Sequence, residues 1–512
     1  MGLFSGGEKH IQAQNRIKFE QCTDRVRYYP RNLNSILVSI ILMSIFIDRK
    51  EELSVLNERY ARKGAEFIIL YGRRRIGKSE LIEHFLKNTR GIRFLAREES
   101  KHLQLKKISR DCAGFFHDDF LERSPFGDWD SFFAYLAGKT TERQVIAIDE
   151  FPYLVKEDPT LPSIIQEYWD TRLKDSGIVL ILSGSSISMM EEYTMDQRSP
   201  LFGRRTGQIL LHGFRFVDVL DYIGNFTKAV EYYSVFGGTP AYIMAIDKEQ
   251  EVFENITGKI LSADASLFKD VEFVLRMELN EPRYYFSILL SIAKGNNRIG
   301  LIMNDTGLDK GLITKYLSIL IDLQLVERRI PVTDNHRSRK GLYRLSDNLF
   351  AFWFRFVHPN VERIERGEGD LVLQTDIKPQ FTQYIGKAFE SMVEDLFCEF
   401  NREGLLPFRF DTIGNWWDKG EEIDLVALQK DGAAILFCEC KWQEQVNAEK
   451  ILVQLKKKAA AVPWMDKKTR REYYCIVARS FLSRPVTKEN DENTLYLDVG
   501  DLEAWHQRCQ TV

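Results

Sequence analysis

The chain has no C-x-x-C pair. Its seven cysteines are scattered, which excludes a zinc ribbon and a disulfide framework and fits a reducing compartment. It also lacks a strong charge of either sign: the formal net charge is −3, so any contact with nucleic acid has to come from local patches. A membrane-length apolar run is missing too. Ser35 to Ile47 is apolar over about 13 residues, too few to span a bilayer as a helix, and no small-residue cleavage site follows it. No internal repeat or long low-complexity tract occurs. What remains, 44% hydrophobic and 28% charged residues over 512 positions, is a globular composition with room for three or four domains. A cytoplasmic protein without membrane contact is expected. Residues 1–43 read as an N-terminal extension, because Met43 directly precedes the first recognisable module.

Against this background one octet stands out. Gly72-Arg73-Arg74-Arg75-Ile76-Gly77-Lys78-Ser79 fits the phosphate-binding pattern G-x-x-x-x-G-K-[ST]. An apolar, strand-like run (66–71) precedes it and a helix-like run beginning at Glu80 follows. The glycines let backbone N–H groups approach phosphates, and the helix N-terminus adds a favourable dipole. Gly72 to Glu80 are the expected nucleotide contacts. Lys78 is suited to the β- and γ-phosphates of ATP and the Ser79 hydroxyl to Mg²⁺.

A second apolar run, 143–148, ends in Asp149-Glu150. It reads as a parallel strand buried on both faces, with its acids at the end where ligands sit in an open α/β sheet. Asp149 is the expected Mg²⁺ partner, and Glu150 the residue that positions the attacking water. A third run, 177–182, ends in Ser183-Gly184-Ser185-Ser186, where a polar tip could sense the terminal phosphate. Residues 44–212 thus alternate strands and helices, as in a parallel sheet covered on both sides. Residues 213–281, punctuated by Gly237-Gly238 and Pro240, read as a helical lid.

Residues 282–358 carry the pattern of a winged helix: helices at 284–293, 299–304 and 310–323, then strands 325–332 and 342–345. The third helix buries Ile313, Leu317, Leu320 and Ile321 and turns Lys310, Thr314, Lys315 and Ser318 outward. The strand connection holds Arg337, Arg339 and Lys340. This arrangement suits DNA contact, with intramolecular packing as the equal alternative. The aromatic run 349–357 reads as a core or interdomain seam. Residues 359–375, charged and glycine-containing, read as a linker.

The last segment, 376–512, holds a second constellation. Asp424 sits on one expected strand and Glu439 and Lys441 share a face of the next. Two converging carboxylates can hold Mg²⁺ and a neighbouring lysine can orient water. Glu390 on an earlier helix is placed to complete the group, and Gln454 and Lys457 on a later helix to meet a phosphate backbone. The D…E-x-K spacing is that of restriction-endonuclease-like folds, whether cleaving or inactive.

Taken together, 46–53, 71–79, 148–153, 182–186, 199–205 and 236–242 resemble, in residues and order, the archaeal ATPase family of P-loop proteins, close to the AAA+ and STAND groups. The resemblance implies an α/β fold: a P-loop NTPase core, helical lid, winged helix and C-terminal nuclease-like domain. It implies ATP binding, Mg²⁺-dependent hydrolysis, action on DNA through the winged helix and C-terminal domain, and homo-oligomerisation. It also suggests Arg204 or Arg205 as an arginine finger, within the chain or on a neighbour. Two other functions compete: an ATP-gated DNase using Glu390, Asp424, Glu439 and Lys441, and a non-catalytic, nucleotide-regulated DNA-binding scaffold.

Overall fold

The computed structural model describes residue 47 and residues 49–510, apart from 140–141, 280, 336, 467 and 484–492. The expected extension, 1–43, lies outside the described residues.

Five apolar runs form one parallel sheet: β1 (Glu66–Tyr71), β2 (Gly91–Leu95), β3 (Gln144–Asp149), β4 (Ile178–Gly184) and β5 (Gly207–Leu210), in the order β2-β3-β4-β1-β5. Every residue of β1, β3 and β4 is buried. That is why these strands read as unbroken apolar runs rather than alternating ones: helices cover both faces. Phe67, Ile69, Phe132, Ile146 and Leu180 belong to one continuous core. The register sets Ile148 beside Leu182 and Leu182 beside Ile69. The chain therefore leaves β1, β3 and β4 along a single edge, where a ligand can meet all three loops. Helix α1 (Lys78–Leu86) starts inside the octet, and α2 (Phe151–Glu157) starts directly after the acidic pair.

Residues 213–281 are helical, as expected, and end in α3 (Asp270–Glu278). Three helices follow, α4 (Pro282–Ala293), α5 (Ile299–Thr306) and α6 (Lys310–Asp322), and then a hairpin of β6 (Val326–Arg329) and β7 (Leu342–Leu345). Asp347 caps α7 (Asn348–Phe352). The aromatic run is core: Phe350, Phe352, Trp353, Phe354 and Phe356 are all buried, and the Trp353 indole donates to the Phe268 carbonyl at 2.6 Å. The expected linker, 359–375, is not one. It carries short helices, buries Ile364 and Val372 completely, and leaves at Gly369 so little room that a Cβ would lie 1.9 Å from the Leu261 carbonyl. Its charged residues line the outside of a packed segment.

Helix α8 (Phe381–Arg402) buries Ile385, Phe389, Val393, Leu396 and Phe400 on one stripe. It packs on a mixed sheet of β8 (Thr412–Asp418), β9 (Glu421–Gln429), β10 (Ala434–Lys441), β11 (Arg471–Ala478) and β12 (Thr494–Leu497), ordered β12-β11-β10-β9-β8. The first three strands run antiparallel and the last three parallel. Helix α9 (Ala448–Ala459) covers the sheet through Leu452, Leu455 and Ala459. From α10 (Val499–Gln510), His506 links two elements, pairing with Glu399 on α8 and Asp221 near the start of the helical segment 213–281, each at 2.7 Å. Among the described residues no helix is long and apolar enough to cross a membrane.

Candidate functional site

The octet forms a tight loop in which both glycines take positive φ and the first has no room for a side chain. Gly72 has φ +154°, and a Cβ there would lie 2.5 Å from the Leu211 carbonyl; Gly77, at φ +86°, turns the chain into α1. Lys78 is buried in the mouth of this loop. Its ammonium donates to the carbonyls of Gly72 (3.0 Å) and Arg73 (2.9 Å). Burial pulls its pKa below the usual lysine value, against the pull of Glu150, Asp149 and Glu278. Ile76 is fully buried, whereas Glu80 is exposed on the first turn of α1.

Asp149 is completely buried at the end of β3. Its Oδ2 accepts from Ser79 Oγ at 2.7 Å and from the Arg93 guanidinium at 2.8 Å, and its Oδ1 accepts the Glu150 backbone N–H at 3.1 Å. Ser79 and Asp149 thus present adjoining oxygens beside Lys78, a donor set that fits Mg²⁺. Glu150 has a left-handed backbone, φ +57°. That turn aims its carboxylate at β4, where Ser185 N–H and Oγ donate to it at 3.1 and 2.9 Å. Of the serines expected at the β4 tip, Ser185 is the one that meets the acid, while Ser183 Oγ is buried without a partner. Arg93 was not anticipated. Its signal was a lone arginine inside the apolar run 91–96.

The three loop arginines do not line the loop as a passive set; each pairs with a different distant acid. Arg73 meets Asp347 at 2.7 Å, Arg74 meets Glu278 at 3.0 Å, and Arg75 meets Asp270 at 2.6 Å. All three acid side chains are at most 10% exposed. The loop is therefore fastened to α3 and to the start of α7. Arg204 and Arg205 pair elsewhere. The adjacent Thr206 N–H bonds the Phe67 carbonyl, five strand residues before Gly72, or about 16 Å. Arg204 is committed to both oxygens of Asp170 and to the carbonyls of Pro200 and Phe202. Arg205 bonds Gln208. The Arg204 side chain sits at the opposite end of β1 from the loop, because the turn into β5 pairs with the start of that strand, whereas the Arg205 charge is felt by Tyr71, next to Gly72.

The C-terminal residues do converge. Asp424 Oδ2 accepts from Lys441 Nζ (2.9 Å) and Cys440 N–H (2.8 Å), and Glu439 Oε2 accepts from the same Lys441 at 2.8 Å. Burial opposes the Lys441 charge, but Asp424 and Glu439 outweigh it and raise its pKa, so the amine stays protonated. Burial, and then the Asp424 charge, push the Glu390 carboxyl up to about 8. The helix residue that reaches the group is Lys458, whose Nζ lies 2.6 Å from Glu439 Oε1, rather than Gln454 or Lys457, both exposed. The phase of α9 explains this: Lys457 falls opposite the buried stripe of Leu452, Leu455 and Ala459, and Lys458 on its flank. Cys438 and Cys440 are buried packing residues. Among the described residues, no group of three or more His, Cys, Asp and Glu is arranged to hold a metal ion.

The β6–β7 hairpin docks on this domain. Val332 N–H donates to the Asn415 carbonyl (3.0 Å), Trp417 Nε1 donates to the Lys340 carbonyl (3.1 Å), and Lys340 pairs with Asp418 at 2.9 Å. Arg329 and Arg344 both donate to Asn415 Oδ1, at 2.8 and 3.0 Å. The Asn415 side chain in turn donates to the Asp424 carbonyl at 2.6 Å. A cavity of about 600 Å³ lies between hairpin and sheet, and Glu390 and Asp424 open into it. Lys340, expected at the wing tip for DNA, is exposed but paired with Asp418. Arg337 and Arg339 remain exposed, as do Lys310, Thr314, Lys315 and Ser318 on α6.

Comparison with known proteins finds two matching family models. Residues 46–246 match the model of an ATPase domain predominantly from Archaea, and residues 353–451 match that of archaeal and bacterial proteins of unknown function. An uncharacterized protein of Methanocaldococcus jannaschii is 35% identical over 456 residues, covering 88% of this chain and 99% of that one. Among solved structures, a Walker-type ATPase of Pyrococcus abyssi aligns with a TM-score of 0.47 at 19% identity, over 60% of this chain and 96% of that one. The ORC2 protein of Aeropyrum pernix, solved with ADPNP and ADP, aligns with a TM-score of 0.41 at 15% identity, over 64% and 94%.

Proposed function

Because the chain belongs to this family of predominantly archaeal ATPases, we propose that it is an ATP-driven switch that acts on DNA through its C-terminal half. The observation that carries this reading is the meeting of Lys78, Ser79, Asp149 and Glu150 around one glycine-shaped loop. The backbone N–H groups of 72–79 and the Lys78 ammonium receive the phosphates of ATP. Ser79 and Asp149 would hold Mg²⁺, which would supply positive charge to offset that of the phosphates. Glu150, released from Ser185, orients and deprotonates the attacking water. Residues 213–281 close over the nucleotide, and the ion pairs of Arg73 and Arg75 carry the change to α7 and α3.

On the DNA side, the three helices and hairpin read as a winged helix. The exposed face of α6 is the contact surface, since the hairpin is docked on β8. The C-terminal domain reads as nuclease-like, with Asp424, Glu439 and Lys441 at its centre and Glu390 beside them. One observation favours the ATP-gated form of this reading: two lysines neutralise the carboxylates while the hairpin roofs the cavity in front of them. Incubating supercoiled and linear DNA with the purified protein and Mg²⁺, with and without ATP, beside Asp424→Ala, tests it. ATP-dependent cutting that vanishes in the variant is expected. DNA left intact by protein that hydrolyses ATP would remove cleavage and leave binding or regulation as the role of this domain.

A further inference from the structure

A phosphoryl-transfer site gains most from a guanidinium at the terminal phosphate, where charge builds as the bond breaks. Arg204 is committed to Asp170 away from the loop of its own chain, and Arg205 is bonded to Gln208 on β5. Arg74 is part of the loop. Its Nε donates to Glu278 at 3.0 Å and its NH2 to the Tyr153 hydroxyl at 3.1 Å. Tyr153 lies on α2, three residues beyond Glu150, and Glu278 is the last residue of α3, so Arg74 joins the loop to both helices. The Lys78 ammonium feels Glu150, Asp149, Glu278 and Arg74 together, so these groups share one neighbourhood. Glu278, whose side chain is 10% exposed, is bonded to Arg74 and so lies beside the loop that would receive the phosphates of ATP.

We propose that Arg74 is the catalytic arginine of this site, acting within its own chain on the γ-phosphate, and that Glu278 is the counter-ion it keeps until ATP arrives. The proposal rests on the nucleotide reading of the loop. In the reaction, the water oxygen bonds to the γ-phosphorus as the bond to the bridging oxygen breaks, and the water proton passes to Glu150; ADP and phosphate result. Arg74 transfers nothing. It offsets charge on the equatorial oxygens, while the ATP phosphates displace Glu278 from the guanidinium.

The test compares ATP and ADP affinity, in a Glu150→Gln background so that ATP is not consumed, and turnover with Glu150 intact, for Arg74→Ala, Arg74→Lys and Glu278→Gln. Arg74→Ala should weaken ATP about tenfold, as loss of a charge-assisted hydrogen bond does, leave ADP within about twofold, and lower kcat by at least about a hundredfold. Arg74→Lys should recover part of the ATP affinity but little of kcat, since an ammonium lacks the planar fork. Glu278→Gln should tighten ATP and leave ADP unchanged. Arg74→Ala protein that loses ATP and ADP equally, or keeps full kcat, would overturn the proposal; retained ADP binding also shows that the loop is folded. Parent protein that binds neither nucleotide would overturn the loop reading, and this proposal with it.

Discussion

Asp347 joins the loop to the second half of the chain, and its replacement has a cost that can be worked out. Its side chain is 3% exposed and has two jobs. Oδ1 caps α7 by accepting the N–H groups of Leu349 (2.9 Å) and Phe350 (3.3 Å), while Oδ2 accepts Arg73 at 2.7 Å and Thr239 Oγ1 at 2.9 Å. Asp347→Asn keeps a capping oxygen but leaves Arg73 without its counter-ion. Removing one partner of a buried pair costs 3–5 kcal/mol. Arg73 is 13% exposed and lies over the Phe350 ring, so the lower end, about 3 kcal/mol, applies. Asp347→Ala also loses the cap, for about 1 kcal/mol more. Arg73→Met with Asp347→Asn leaves no unpaired charge, so the double variant should be about 2 kcal/mol more stable than the sum of the single losses predicts. Urea midpoints followed by tryptophan fluorescence measure this, with Trp353 buried next to α7 as a reporter. Single costs that simply add in the double variant would refute the pairing and the mechanical link it supplies.

Three further outcomes follow from titratable and charged groups. His506 is raised to about 9: burial disfavours its charge, but Asp221 and Glu399 outweigh that. Its stabilisation is therefore complete below the unfolded value near 6.5 and is lost as pH rises through about 9; thermal melts of His506→Asn should lose that alkaline slope. Glu390 acts in the same direction over a lower window. A buried acid raised from 4.5 to about 8 holds more protons folded than unfolded, so stability falls as pH climbs across that window, and Glu390→Gln should flatten the profile between those limits. Lys458→Met leaves Glu439 with Lys441 as its one cationic partner, so Mg²⁺-dependent stabilisation of the C-terminal domain in thermal melts should strengthen. An unchanged Mg²⁺ response would place the carboxylates outside metal binding.

Much of the nucleotide site was legible because it is local. Spacing alone brings Lys78 and Ser79 to a glycine-bounded loop, and an apolar run ending in Asp149-Glu150 needs only the parallel-sheet rule to place its acids at the same edge. The partners of the loop arginines were not legible. Asp270, Glu278 and Asp347 lie about 200 to 270 residues away in sequence, and no periodicity links an arginine to a carboxylate at that separation. Where Arg204 and Arg205 lie was not legible for the same reason, since which end of β1 they adjoin depends on the β1–β5 register, and their position leaves a role toward a neighbouring chain open. Asp424, Glu439 and Lys441 could be grouped from strand alternation, whereas Lys458 required the rotational phase of α9, which its buried leucines do carry. The charge of 359–375 suggested a linker because charged outer residues outnumber the few that pack. Asn415, which joins the hairpin arginines to the carboxylate strand, gave no signal, since an asparagine in a strand looks like any edge residue.

The central claim is that ATP is bound and split at the loop 72–79. The most direct measurement is ATP binding and steady-state phosphate release with Mg²⁺ for the full chain, Lys78→Ala and Glu150→Gln. The account predicts turnover by the parent protein, lost ATP binding in Lys78→Ala, and retained binding without turnover in Glu150→Gln. Unchanged ATP affinity in Lys78→Ala, or undiminished phosphate release by Glu150→Gln, would contradict it.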